Sequence, residues 1–357
     1  MKRLLVAATA AALIATAAPA GAAVDQMLPG SAGATAPVIA LGPEGEAYVV
    51  ARSATGGTSF WSVNDESATA LAPAGLFSNL PGGAPGGLAV DTAGYPHVAQ
   101  RNMQTSNVRR SIDGGSTWDR GTPIAAPGKI QSLAATNFNS IVEGSTLYAL
   151  SVFRNNIIVS ISDDGGLTFQ DQEIIEQQCA ICVDTLSNMA VTPDGNVWLA
   201  YSDPIQGFGF RKHDFEGSSI SYTFMLPAPV LREPATLSVG PDGSVYAALA
   251  LADGGFEVVR LDNVPHDNGY ITDAEVTSAQ VAVGDGSVGV SWIQTDDDGV
   301  DRVYFRSGPD LANLDDPIVV GPTTGAKVAL VTDTSNVYRV AYQTEEGLRF
   351  QTLGGVL

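Results

Sequence analysis

The sequence predicts an all-β chain folded as a seven-bladed β-propeller, and three observations predict it. A turn-and-strand unit returns about every 48 residues. The 39 Gly and 20 Pro are spread along the chain instead of gathered in one linker, as many short strands separated by turns require. No long helix-period segment interrupts the pattern. Six blades is the alternative count.

The units can be followed in order. Gly42-Pro43-Glu44-Gly45 precedes the apolar run Glu46 to Arg52, and Asp91-Thr92-Ala93-Gly94 precedes Tyr95 to Arg101. Glu143-Gly144 leads into Leu147 to Phe153, and Thr192-Pro193-Asp194-Gly195 into Val197 to Ser202. Gly240-Pro241-Asp242-Gly243 comes before Val245 to Leu251, Gly284-Asp285-Gly286 before Val288 to Ile293, and Asp333-Thr334-Ser335-Asn336 before Val337 to Tyr342. Each Asp-Gly or Asn-type turn supplies the positive φ of a tight hairpin. One hairpin cannot bury both of its faces, so units of this length stack around an axis as four-stranded blades.

The last unit offers strands near Val328 to Thr332, Val337 to Tyr342 and Leu348 to Leu353, one short of a blade. The segment Val24 to Leu28 is therefore expected to add the outer strand, joining both ends of the chain in one sheet and removing an open edge.

Ahead of that strand the N-terminus reads as a secretory signal peptide, residues 1–22. Lys2 and Arg3 are followed by an apolar stretch from Leu4 to Ala17 and by Ala20-Gly21-Ala22. The stretch falls short of the roughly 20 residues of a membrane span. The expected mature chain, 23–357, is one propeller domain, secreted or periplasmic. Removing Lys2 and Arg3 takes the formal charge from −20 to about −22. Such acidity argues against nucleic acid, whose phosphates need a basic patch, and suits a soluble monomer.

Two segments go further. Ser111-Ile112-Asp113-Gly114-Gly115-Ser116-Thr117-Trp118 and Ser162-Asp163-Asp164-Gly165-Gly166-Leu167-Thr168-Phe169 share Ser-x-Asp-x-Gly-x-Thr-aromatic, with serines 51 residues apart. They resemble the Asp box, or bacterial neuraminidase repeat, of the sialidase-like propellers. The resemblance implies that the box joins the two outer strands of a blade, away from the ligand face, in a structural role. The residue types suit that role. Asp accepts backbone N–H bonds, Gly allows the reversal, and the aromatic ring anchors the turn. Ser62-Val63-Asn64 and Lys212 to Gly217 read as decayed copies.

Sialidases hold the sialic acid carboxylate with three arginines, because guanidinium forks match a carboxylate. They add a Tyr–Glu pair and an Asp acid/base. The Arg-Ile-Pro sequence that marks the first of those arginines in many members is missing here. Arg52 and Arg101 nevertheless each follow a turn glycine by seven residues, at the end of the second strand of consecutive blades, and Arg154 ends the third with a small offset. By propeller geometry these ends face the funnel opposite the Asp boxes, either as a shared anion site or as separate salt-bridged arginines. Asp203, Arg232 and Tyr342 are further ligand-binding candidates on that face, without any catalytic role carried over.

Cys179 and Cys182 form the one cysteine pair, expected as a local disulfide in an exported chain. His97, His213 and His266 fall in different blades, so no metal site or cofactor is predicted. Asp296-Asp297-Asp298-Gly299-Val300-Asp301 invites calcium but lacks the spacing of an EF-hand, and reads as a solvated hairpin loop. Two functions remain open: a noncatalytic propeller binding a glycan or other small anionic ligand in its funnel, and a glycoside hydrolase acting on sialic acid or another acidic sugar.

Overall fold

A computed structural model of the protein describes residues 25–354 apart from 65–66, 72–86, 102–105, 125–128, 137–144, 154–155, 177–186, 204–206, 215–218, 227–234, 252–253 and 263–267. Every regular element within it is a β-strand, and the strands make seven four-stranded antiparallel sheets. Blades 1 to 6 are meanders in chain order, spanning 35–70, 87–123, 129–176, 187–226, 236–272 and 276–322. Blade 7 takes three strands from 328–354 and its outer strand, Asp25–Met27, from the other end of the chain. That strand pairs antiparallel with Leu348–Gly354, setting Gln26 opposite Phe350. Closure by the N-terminal segment is thus observed, and seven blades is the count.

The second strand of each blade lies between two others and also has a blade on either side. Val245–Ala250 is consequently buried at every position, and Ala47–Arg52 at all but Arg52. This explains why these strands read as continuous apolar runs and not as alternating ones. The described core is a ring of seven clusters, each drawn from two adjacent blades. Phe60 of blade 1 meets Val98 of blade 2, and the series runs on to Phe350 of blade 7, which meets Trp61 of blade 1. No blade is stable alone under this arrangement, because half of each cluster belongs to its neighbour.

Hydrogen bonds fix the turns that join first to second strands. In blade 2, Asp91 accepts the N–H groups of Ala93 and Tyr95 at 3.0 and 2.8 Å. In blade 7, Asp333 accepts those of Ser335 and Val337 at 2.9 and 3.1 Å. Asn336 takes the left-handed φ of 59° that Gly94 and Gly195 supply at the equivalent turns.

The two Ser-x-Asp-x-Gly-x-Thr-aromatic segments do lie between the third and outer strands, in blades 2 and 3. Asp113 receives the hydroxyls of Ser111 and Thr117 at 2.7 and 2.6 Å and the Thr117 N–H at 2.7 Å. Asp164 repeats this with Ser162 and Thr168. The first serine hydroxyl accepts the glycine N–H in both turns, from Gly115 at 2.7 Å and Gly166 at 2.8 Å. Each turn then docks on the preceding blade. Trp118 packs edge-on against Phe60 with ring centres 5.0 Å apart, and the carbonyls of Gly165 and Gly166 accept from Arg110 and Thr122 of blade 2. In blade 1, Asn64 accepts the N–H of Ser67 at 2.8 Å, the same device with an amide in place of the carboxylate.

Candidate functional site

The first strands of all seven blades surround a central cavity of about 460 Å³. Gln131, Asn188, Thr236 and Gln280 stand on its wall among backbone and aliphatic groups. Lys327 is the one charged side chain on the described wall. Because each first strand runs from a blade-to-blade connector towards a turn, residues at its start mark the connector end. Ala36, Gly87, Gln131 and Lys327 lie at such starts. A second cavity of about 700 Å³ meets the first at Val239, Val283 and Thr332 and opens on the turn face, where Glu44 and Asp333 line it.

Several polar groups on the wall already serve the ring. Ser132 donates to the Met189 carbonyl of the next blade at 3.5 Å, Thr236 to the Ala279 carbonyl at 2.9 Å, and Ser238 accepts the Val283 N–H at 3.2 Å. These bonds cross blade boundaries where no backbone ladder runs. Gln280 and Lys327 have no side-chain hydrogen bond or ion pair among the described residues, and both are open to the cavity.

The candidates named from the sequence fall in different places. Arg52 ends the second strand of blade 1, opposite Thr35, and is exposed beside the channel-lining Ala36. Arg101 ends the matching strand of blade 2, opposite Ser106, and Asp203 that of blade 4, opposite Gly207; their backbones alone are described. Arg154, Arg232, Cys179 and Cys182 lie outside the described residues.

Tyr342 corrects the expectation of a funnel-facing phenol. It is 1 % exposed in the cluster between blades 6 and 7, and its hydroxyl accepts from Gln351 at 3.1 Å. Burial pushes its pKa up to about 12. The physical reason is its position on a second strand, whose side chains point into the blade interfaces and not along the axis.

The acidic hairpin of blade 6 satisfies itself. Asp296 accepts the N–H groups of Asp298 and Val300 at 3.0 and 2.9 Å and pairs with Arg302, while Thr295 donates to Asp301 at 2.6 Å. His97 is fully buried against Asp91, 3.0 Å from Nε2 to Oδ2, far from any channel role. Although burial works the other way, the bonds from His97, Tyr95 and Ala93 hold the Asp91 carboxyl below its ordinary value. Among the described residues no group of three or more His, Cys, Asp or Glu is placed to hold a metal ion. No described helix is long and apolar enough to cross a membrane.

Sequence reasoning passed over Lys327, Gln280 and the bulge at Ala36 and Pro37. The available signal was position. Lys327 and the bulge stand at or near the start of a blade's first strand and Gln280 midway along one, and lysine and arginine are scarce in this chain, 18 against 38 acidic residues.

Comparison with known proteins agrees on fold. No protein-family model and no curated sequence matches the chain. Solved structures do match. The β-propeller domain of Cps50 (Swd1) from Myceliophteria thermophila superposes with a TM-score of 0.59 at 11 % identity, over 94 % of this chain and 100 % of that one. A PL25 polysaccharide lyase, an ulvan lyase bound to -[GlcA(1-4)Rha3S]-, gives 0.57 at 11 % identity, over 91 % and 94 %. The GH74 enzyme of Niastella koreensis gives 0.51 at 13 %, over 88 % and 64 %. At these identities the likeness establishes a propeller, and its neighbours include carbohydrate-active enzymes.

Proposed function

We propose that this protein is a saccharide-binding propeller that admits a glycan into its central channel from the connector face and holds it without turning it over. One observation carries this reading. The described channel wall offers amides, hydroxyls, backbone groups and a single ammonium, a surface matched to a hydroxyl-rich ligand and without a carboxylate pair to drive glycoside hydrolysis. The carbohydrate-active neighbours, a polysaccharide lyase and a GH74 enzyme among them, are in keeping with a glycan ligand. Glycan-array screening followed by calorimetry tests it. Binding of at least one saccharide class with displacement by its monomer is expected, and silence across neutral and acidic glycans would sink the reading.

A second reading, an exo-sialidase-like hydrolase, draws on the Asp-box turns of blades 2 and 3 and on Arg52 and Arg101 ending equivalent strands. Release of a reporter from a fluorogenic sialoside would favour it. Both readings place the protein outside the cytoplasm behind its N-terminal leader, with Cys179 and Cys182 joined. Intact mass with and without alkylation after reduction checks the disulfide.

A further inference from the structure

We propose that Lys327 forms an anion subsite at the connector end of the channel, taking the single acidic group, a carboxylate or a sulfate ester, of one sugar unit, with Gln280 further along the same wall. This rests on the saccharide reading above and adds the class of sugar.

The placement comes from the seam between blades 6 and 7. The N–H of Val328 donates to the Ser278 hydroxyl at 3.4 Å, and Ser278 is fully buried. That bond seats the start of blade 7 against the first strand of blade 6. Lys327 is the next residue outward, Gln280 lies two residues along from Ser278, and both line the same cavity. On the other side of blade 7, the first strand of blade 1 bulges between Thr35 and Val38, so Ala36 and Pro37 line the mouth without ladder partners. Ala36 holds a left-handed φ of 53°, a strained conformation for a residue with a Cβ. Bulges of this kind re-aim a strand next to a binding site.

Lys327 is the one charged residue on the described wall, and many cations elsewhere are already engaged. Arg260, Arg339 and Arg349 are each held by an aspartate within 2.9 Å, and Arg302 by Asp296. Arg306 donates to the carbonyls of Leu314 and Asp315. Lys327 is exposed and makes no such bond among the described residues. The acids on the neighbouring blade 7 hairpin, Glu345 and Glu346, are exposed and form no ion pair with it. An ammonium is a point charge without the geometric fork of a guanidinium, so it accepts a carboxylate or a sulfate ester alike. The Gln280 amide N–H, further along the same wall, is free to bind the sugar's hydroxyls. With no described carboxylate on the wall, one ligand anion is balanced locally even though the whole chain is strongly acidic.

The test uses the full chain and four methyl glycosides: glucuronide, glucuronide methyl ester, monosulfated glucoside and plain glucoside. Ligand-observed NMR or calorimetry should show the two anionic glycosides binding about tenfold more tightly than the neutral ones at about 0.02 M salt, a preference that shrinks at about 0.2 M. Lys327→Gln should erase the preference while leaving the melting temperature in place, and Lys327→Arg should restore it. Preference for only one anionic glycoside identifies the source of the charge and still supports the subsite. Equal binding of all four by the wild type, a preference that survives Lys327→Gln, or no rescue by Lys327→Arg overturns the anion subsite and leaves saccharide binding standing. Absence of binding by any glycoside, array hits included, overturns both.

Discussion

The two ends of the channel differ in how completely their charges are engaged. On the turn face the carboxylates hold backbone. Asp91 and Asp333 accept N–H groups in their own turns, Asp194 accepts the Thr192 hydroxyl and the Asn196 amide, and Asp242 accepts the N–H and hydroxyl of Ser244. On the connector face the Asp296 hairpin is engaged in the same way, but Lys327 and Arg52 hold nothing among the described residues. A charge engaged in a turn has its lone pairs filled and is part of the scaffold. One left without a partner beside a cavity is available to a ligand.

Breaking the scaffold end should produce the largest effect. Gly115→Ala places a Cβ 2.4 Å from the Phe60 ring, at a φ of 99°, and should cost about 3 kcal/mol in urea unfolding. A loss below about 0.5 kcal/mol would mean that the turn does not clamp blade 2 to blade 1. Leu28→Ala tests the closing seam, since Leu28 is 1 % exposed and its N–H donates to the Leu348 carbonyl at 2.9 Å. Its expected cost is about 2–3 kcal/mol, read from the same denaturation curves.

The turn carboxylates set an acid limit. Hydrogen bonds from the Thr117 side chain, its N–H and the Ser111 hydroxyl hold Asp113 down to about 2 from an ordinary 3.8. Bonds from Ser244 similarly lower Asp242. A carboxyl whose folded pKa is depressed stabilises the fold above its unfolded pKa, and that contribution disappears as pH falls through the folded one. The melting temperature should therefore drop between pH 3.8 and about 2, and Asp113→Asn should flatten that drop. An unchanged acid profile would show that these bonds do not differ between folded and unfolded chains.

Smaller effects belong to exposed charge. The Asp25–Arg349 pair at the closing strand is 2.6 Å long with both side chains about two-fifths exposed, so Arg349→Ala should cost only about 0.5 kcal/mol. At the connector end Lys327→Gln should leave stability within about 0.5 kcal/mol of wild type. If it unfolds the protein instead, the lysine belongs to the scaffold and the contrast between the two ends fails.

Much of the fold was legible because it is written in local chemistry repeated seven times. The run predicted from Tyr95 to Arg101 is the strand Pro96–Arg101, and Val337 to Tyr342 is Val337–Gln343. Even the closing strand differs from its expected bounds by one residue at each end. These elements were readable because an Asp or Gly turn and an apolar run specify a hairpin without reference to anything distant. Little of the channel was legible in that way. Tyr342 sits one residue inside its strand's end, where Arg52 and Arg101 are terminal, and its ring is therefore held in the seam between two blades as other second-strand side chains are.

The order of residues alone thus determined the number of blades, their strands, the turn carboxylates and the union of the two chain ends, because each depends on neighbours in the chain and on the need to shield both sheet faces. Tertiary structure alone decided that Lys327 shares a cavity wall with Gln280, 47 positions earlier in the chain, and which carboxylates are already occupied. Proximity across a propeller axis is set by how seven sheets twist and close, and no local pattern of residues encodes that distance.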